Sequence, residues 1–220
     1  MNTVIFDLDG TLLDTLEDLA DAVNHAMRTF ELEEKTISQV RSFVGNGIRK
    51  LIERCVPGGD DREDFEEILQ CFREYYAVHC QDKTKPYVGI MDLLKELKEK
   101  GYQMAIVSNK HHSAVEELRQ IFFAEYITVA IGQMEHLQPK PAPDTVNLAL
   151  EKLGCDRKDA IYVGDSDVDK ATADNSGMDC IAVTWGFRGR ELLESLQPAV
   201  IVDKPKQILD YLENRACKPV

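Results

Sequence analysis

The sequence predicts an α/β fold: a Rossmann-like parallel sheet with helices on both faces, plus an all-helical insertion after the first strand. Three observations carry this reading. From about residue 86 onward, short apolar runs alternate with helix-period patterns, the signature of a parallel sheet covered on both sides. A similar run, Val4-Ile5-Phe6, stands apart at the N-terminus and fits a strand buried on both faces. Between them, residues 15–84 carry helical periodicity and no convincing strand. The expected division is therefore 1–14 with 85–220 as an α/β core, and 15–84 as the insertion.

Taken in order, the first strand ends at Asp7, and Gly10 and Thr11 break it. Leu16, Leu19, Ala20, Val23, Met27 and Phe30 recur at helical spacing, and Thr15 with Asp18 resembles a capping box at the start. A short helix is expected from Thr36, where Gln39 lies three residues on, and another from Gly47 to Arg54. Beyond Pro57-Gly58-Gly59, the spacing of Phe65, Ile68, Leu69, Phe72, Tyr75 and His79 predicts a longer one. In the core, a helix from Ile90 to Lys100 closes at Gly101, and Met104–Val107 reads as a strand. Helix Ser113–Phe122, strand Tyr126–Ile131, helix Pro143–Leu153 and strand Ala160–Val163 follow. Helix Val168–Ser176, strand Cys180–Thr184, a helix near Glu191, strand Val200–Val202 and helix Lys206–Arg215 complete the pattern.

Composition narrows the function. The 220 residues are 44% apolar and 30% charged, enough for a real core. A net charge of −13 argues against a non-specific nucleic-acid or anionic-membrane binder, since either needs a basic surface. No apolar run approaches the roughly 20 residues a bilayer crossing needs, and the N-terminus enters a strand directly without a secretory signal. A cytoplasmic protein is the default. Cys55, Cys71, Cys80, Cys155, Cys180 and Cys217 form no C-x-x-C pair and fit reduced, mostly buried thiols.

The candidate chemistry lies at the carboxyl ends of the strands, where open α/β sheets bind ligands. Asp7 and Asp9 leave the first strand on the same side, within reach of one ligand, and like charges that close call for a cation or proton between them. Ser108 and Asn109 end the strand from Met104. Asp165 ends the strand from Ala160, with Asp169 one helical turn beyond it. Lys140 stands between Pro139 and Pro141, before another helix. Carboxylates at one strand edge suit Mg²⁺, which prefers oxygen ligands and shares substrate phosphate oxygens. A lysine with small hydroxyl and amide donors suits the phosphate itself. The reaction class that follows is metal-assisted phosphoryl transfer, in which one aspartate attacks phosphorus and another handles protons. His111 and His112 read as the surface start of a helix, and Thr11 as a residue of local loop structure.

The segments Asp7-Leu-Asp-Gly-Thr, Val107-Ser-Asn, Lys140-Pro-Ala-Pro-Asp and Gly164-Asp-Ser-Asp-Val-Asp resemble, in order, the four motifs of the haloacid-dehalogenase superfamily. The insertion looks like that family's C1 cap. The resemblance implies that Asp7 is the nucleophile and a metal ligand. It implies that Asp9 protonates the leaving oxygen and then activates water, its backbone carbonyl also binding metal. Ser108 and Lys140 would hold the phosphoryl group with Asn109 nearby, and Asp165 would ligate Mg²⁺ with Asp169 in or beside the coordination shell. The dehalogenases and phosphonatases that the chain also resembles lack the second aspartate of the first motif, so Asp9 favours phosphate esters, although β-phosphoglucomutase shares it.

The cap segment Phe43-Val-Gly-Asn-Gly-Ile-Arg-Lys-Leu-Ile52 resembles that of phosphoglycolate phosphatases. Gly45, Asn46 and Gly47 would form a tight loop whose amides approach an anion, with Arg49 or Lys50 adding charge. Thr184-Trp-Gly-Phe-Arg188 also resembles that subfamily, but shows no obvious chemistry in sequence. Asn175-Ser176-Gly177 replaces the more usual Ala-Ala-Gly, a change expected to affect packing. The implied partner is a small phosphorylated metabolite, with neither nucleic acid nor membrane, and the protein a monomer or homodimer. The alternatives are a pyrophosphatase, a sugar-phosphate phosphatase, a phosphomutase, or a non-catalytic binding module of the same fold.

Overall fold

In the computed structural model, residues 2–216 are described; Cys217 lies outside them. Two compact units divide the chain: Met1–Leu13 with Pro86–Val220, and Asp14–Lys85. Two-residue strands, β2 (Leu13–Asp14) and β3 (Lys85–Pro86), mark where the chain passes from one unit to the other.

The first unit is built on a parallel sheet of six strands among the described residues, in the order β5-β4-β1-β6-β7-β8. These are β1 (Thr3–Phe6), β4 (Gln103–His111), β5 (Val129–Gln133), β6 (Ala160–Gly164), β7 (Cys180–Val183) and β8 (Val200–Val202). Side chains alternate across the sheet and split the core into two layers. Val4, Phe6, Met104, Ile106, Ile161, Val163 and Ile181 pack on one face with Leu93, Leu94 and Leu97 of α5 (Ile90–Glu99) and Ile208, Leu209 and Leu212 of α10 (Lys206–Ala216). Ile5, Ala105, Val107, Ile131 and Tyr162 pack on the other with Val146, Ala149 and Leu150 of α7 (Asp144–Leu153) and Ala173 of α8 (Asp167–Asn175). Burial on both faces is why these strands read as continuous apolar runs.

From β1 the chain builds outward through β4 and β5, then returns to the far side of β1 as β6. That reversal is a topological switch point, where the carboxyl ends of neighbouring strands leave a crevice.

The strand from Met104 continues through Ser108, Asn109 and Lys110 to His111, with an irregular register against β5 after Val107. All three polar residues are buried and satisfied by neighbouring loops, so the strand does not end where its apolar run ends. The helix expected from Ser113 also starts earlier, as α6 (His112–Leu118), and continues as a π-helical turn over Arg119–Phe123.

The second unit is helical: α1 (Leu16–Thr29), α2 (Ile37–Phe43), α3 (Ile48–Cys55) and α4 (Phe65–His79). Val23, Ala26 and Met27 of α1 and Ile68, Leu69 and Phe72 of α4 are among its fully buried side chains. Thr36 and Gln39 form the expected capping box, each side chain bonding the other's backbone amide. Thr15 and Asp18 do not. Asp18 is buried and accepts from the amides of Lys83, at 3.0 and 3.1 Å, and Thr84, at 2.8 Å. That distant pairing uses the carboxylate a local cap would need, and Thr15 Oγ1 has no hydrogen-bond partner.

In the remaining helix, α9 (Arg190–Ser195), and elsewhere among the described residues, nothing is long and apolar enough to cross a membrane.

Candidate active site

Asp7 follows β1 directly, its amide donating to the Val163 carbonyl of β6. It therefore sits at the switch point between the central strands. Lys140 Nζ reaches Asp7 Oδ1 at 2.6 Å, Asp169 Oδ1 at 2.8 Å and the Tyr162 hydroxyl at 3.0 Å. The lysine side chain is only 3% exposed, so both ion pairs are desolvated. Burial works against its ammonium, but the charges of Asp169 and Asp7 outweigh burial and hold its pKa well above the ordinary lysine value.

Asn109 fixes this lysine through its backbone. The Lys140 amide donates to Asn109 Oδ1 at 2.7 Å, and Asn109 Nδ2 donates back to the Lys140 carbonyl at 3.1 Å. Asn109 thus stands next to Ser108 as expected, with its side chain committed to Lys140.

Asp165 ends β6 and is clasped by two loops. Its Oδ2 accepts from the Phe187 amide at 2.6 Å and its Oδ1 from Thr11 Oγ1 at 3.4 Å. Gly10 and Gly186 complete the wall. A Cβ on Gly10 would stand 2.7 Å from Asp165 Oδ2, and one on Gly186 would overlap the Asp165 side chain and the Gly10 carbonyl. The Thr184–Arg188 segment, which shows no obvious chemistry in sequence, is therefore part of the site: Trp185 Nε1 donates to the Thr11 carbonyl at 3.0 Å, and Arg188 pairs with Asp167 at 3.3 Å.

Asp169 has both oxygens engaged. Oδ1 meets Lys140 and the Tyr162 hydroxyl; Oδ2 accepts from Ser166 Oγ at 2.6 Å, the Ser166 amide at 3.1 Å and the Asp165 amide at 3.2 Å. Gly164 leaves room for it, since a Cβ there would overlap the Asp169 side chain.

Oxygens of Asp7, Asp165 and Asp169, all buried, lie within 4.8 Å of one another. Burial, then the Asp169 charge, raises the Asp7 carboxyl well above the usual range and brings the Asp165 carboxyl up to about 7. Three carboxylates and one ammonium leave an excess of two negative charges when ionised. An all-oxygen set with that excess fits a hard divalent cation such as Mg²⁺. Asp7 and Asp165 are the carboxylates with donor capacity left for an ion, and Asp169 holds the frame around them.

Asp9 leaves the strand beside Asp7, but its side chain turns elsewhere. Its Oδ1 meets Lys110 Nζ at 3.0 Å, and its Oδ2 faces Ser108 Oγ at 3.4 Å. Lys110 and Tyr162 were not singled out by sequence reasoning. The available signals were a lysine directly following Ser108-Asn109, and a tyrosine in a strand buried on both faces, whose hydroxyl needs a partner.

In the helical unit, Gly45 and Gly47 hold positive φ of 121° and 81°, as a tight loop requires. Asn46 Oδ1 accepts from Arg54 at 2.8 Å, Arg49 pairs with Glu66 at 2.7 Å, and Lys50 pairs with Glu53 at 2.6 Å. Both cations are exposed, and each is partnered within the unit.

A family model described as haloacid dehalogenase-like hydrolase matches residues 4–183. The chain belongs to that family. Among the relatives of this haloacid dehalogenase-like hydrolase, phosphoglycolate phosphatase 1 of Pseudomonas aeruginosa is 34% identical over 97% of this chain and 80% of its own. Pyrophosphatase PpaX of Bacillus cereus is 31% identical over 97% of both chains. Among solved structures, a candidate phosphoglycolate phosphatase from Lactobacillus delbrueckii subsp. bulgaricus has a TM-score of 0.90 at 35% identity, covering 94% of this hydrolase and 96% of that chain.

Proposed function

We propose that this hydrolase is a Mg²⁺-dependent phosphatase for a small phosphorylated metabolite, with 2-phosphoglycolate the first candidate, working through an aspartyl-phosphate. The observation that carries the reading is Asp7 at the switch point, with Lys140 on one oxygen and Asp165 and Asp169 beside it.

In this reading Asp7 attacks phosphorus, displacing the leaving oxygen as the Asp7–phosphorus bond forms. Lys140, held by Asn109, and Ser108 receive the phosphoryl oxygens. Asp9 protonates the leaving oxygen, then takes a proton from the water that attacks phosphorus and releases Asp7. Asp7 and Asp165 hold the Mg²⁺, with the Asp9 carbonyl, and Asp169 supports them; when bound, the ion offsets charge on the phosphoryl oxygens. Residues 15–84 serve as the cap, whose loop at Gly45, Asn46 and Gly47 with Arg49 and Lys50 selects the rest of the substrate. For Arg49 or Lys50 to bind a substrate carboxylate, it must exchange its present glutamate partner.

Pyrophosphate is the second candidate, supported by the relatives named as pyrophosphatases. The test is phosphate release with Mg²⁺ from 2-phosphoglycolate, pyrophosphate and sugar phosphates, with Asp7→Asn as the blank. Preference for 2-phosphoglycolate, lost in Asp7→Asn, is expected. Preference for pyrophosphate keeps the mechanism and replaces the substrate, while no Asp7-dependent release from any compound rejects the reading.

A further inference from the structure

Lys110 is a buried cation to which the phosphatase reading gives no part. Its side chain is 6% exposed, and a lysine that deep is costly unless paired. The other lysine at this sheet edge, Lys140, faces Asp7 and Asp169 on the nucleophile's side. The ammonium of Lys110 instead lies 3.0 Å from Asp9 Oδ1. Its backbone acts on the same carboxylate indirectly. The Lys110 amide donates to Ser108 Oγ at 3.1 Å, and that hydroxyl faces Asp9 Oδ2 at 3.4 Å. One residue of β4 thus holds one carboxylate oxygen with its side chain and, through Ser108, orients the group facing the other.

We propose that Lys110 is the positioning residue for Asp9, fixing Oδ1 so that Oδ2 is the oxygen that exchanges protons. This rests on the reading of Asp9 as the acid–base group. In the first half-reaction, the proton on Asp9 Oδ2 passes to the leaving oxygen as its bond to phosphorus breaks and the Asp7–phosphorus bond forms. In the second, Asp9 takes a proton from water as the water oxygen bonds to phosphorus and the Asp7–phosphorus bond breaks. Lys110 keeps its own protons throughout. Its contribution is geometric: a carboxylate pinned at one oxygen cannot rotate away from the reacting bond.

The experiment compares Lys110→Met, Lys110→Arg and Asp9→Asn on two substrates: the best alkyl phosphate of the panel, and p-nitrophenyl phosphate. An alkyl oxygen needs a proton to leave and nitrophenolate does not, while kcat/KM reports only the steps up to that departure. For Lys110→Met, kcat/KM should fall about 100-fold on the alkyl phosphate and less than about 5-fold on the aryl one. Competitive inhibition by inorganic phosphate should not change, and Lys110→Arg should recover about 10-fold of the alkyl loss. In an Asp9→Asn background, Lys110→Met should have no further effect. Equal losses on both substrates, with weaker phosphate inhibition, would overturn the proposal, because Lys110 would then bind the transferring anion. If Asp9→Asn discriminates between the substrates and Lys110→Met does not, the positioning role alone fails. If Asp9→Asn itself does not discriminate, the acid–base reading fails and takes the proposal with it. Should Lys110→Met not fold, Lys110→Arg carries the comparison through its remaining loss, about 10-fold on the alkyl phosphate and less on the aryl one, since its fork replaces the lysine's point charge only in part.

Discussion

Asn109 holds Lys140 by the backbone, accepting from its amide at 2.7 Å and donating to its carbonyl at 3.1 Å. The strand that ends beside β1 thereby locks the loop that carries the cation onto Asp7. Asn109→Ala removes both bonds and leaves a buried amide and carbonyl unpaired, at a cost of roughly 2–3 kcal/mol. Activity should fall about 10- to 100-fold through misplacement of the Lys140 ammonium, with the fold retained. Thermal melts and steady-state kinetics check this, and an unchanged kcat would show that Lys140 is placed by its ion pairs alone.

Gly186 lies against Asp165, with no room for a Cβ. Gly186→Ala should push the Asp165 carboxylate off its place and cost about 1–3 kcal/mol of stability. The half-saturating Mg²⁺ concentration for phosphate release should rise about 10-fold or more. An unaltered Mg²⁺ titration would mean that the Trp185–Arg188 loop absorbs the methyl group.

The buried acids make stability depend on pH. Asp165 is raised to about 7, by burial first and then by Asp169, and Asp7 is raised in the same direction. In the unfolded chain both titrate near about 4. A folded pKa above the unfolded one gives stability that is complete below the unfolded value and is lost as pH rises through the folded value. Between about pH 5 and 8, metal-free wild type should therefore lose Tm relative to metal-free Asp165→Asn. Mg²⁺ should restore Tm most at the upper end of that window, where the protons it displaces are already gone. A Tm difference that stays flat across the window would show that the acids are not raised.

Asp18 joins α1 to the end of the helical unit by accepting from the Lys83 and Thr84 amides, inside a buried setting. Asp18→Ala leaves those amides unpaired and should destabilise the chain by roughly 2–4 kcal/mol. Denaturant unfolding measures it, and Asp18→Asn, which keeps one acceptor, should cost less.

Much of this was legible because the chemistry sits where strands stop. Asp7 and Asp165 terminate apolar runs, and a carboxylate there has no structural reason to be buried, so each announces itself. Lys140 stands out between prolines. What stayed hidden depends on partners distant in sequence. Thr15 and Asp18 have the local spacing of a cap, yet the carboxylate bonds residues 65 and 66 positions away. Ser108 and Asn109 look like the end of a strand because they are polar, but a polar stretch continues a buried strand when other loops satisfy it. The Trp185–Arg188 segment carries no side-chain signature because its role runs through a backbone amide and the absence of a Cβ.

The chain's lone tryptophan, Trp185, donates its indole N–H to the Thr11 carbonyl, in the loop that also carries Asp7, Asp9 and Gly10. An indole's emission responds to the polarity and hydrogen bonding around it, so the protein holds a built-in optical reporter against one loop of the candidate site. Rapid-mixing fluorescence of the unlabelled wild type, with and without Mg²⁺ and phosphate, therefore tests in real time whether either reaches that loop.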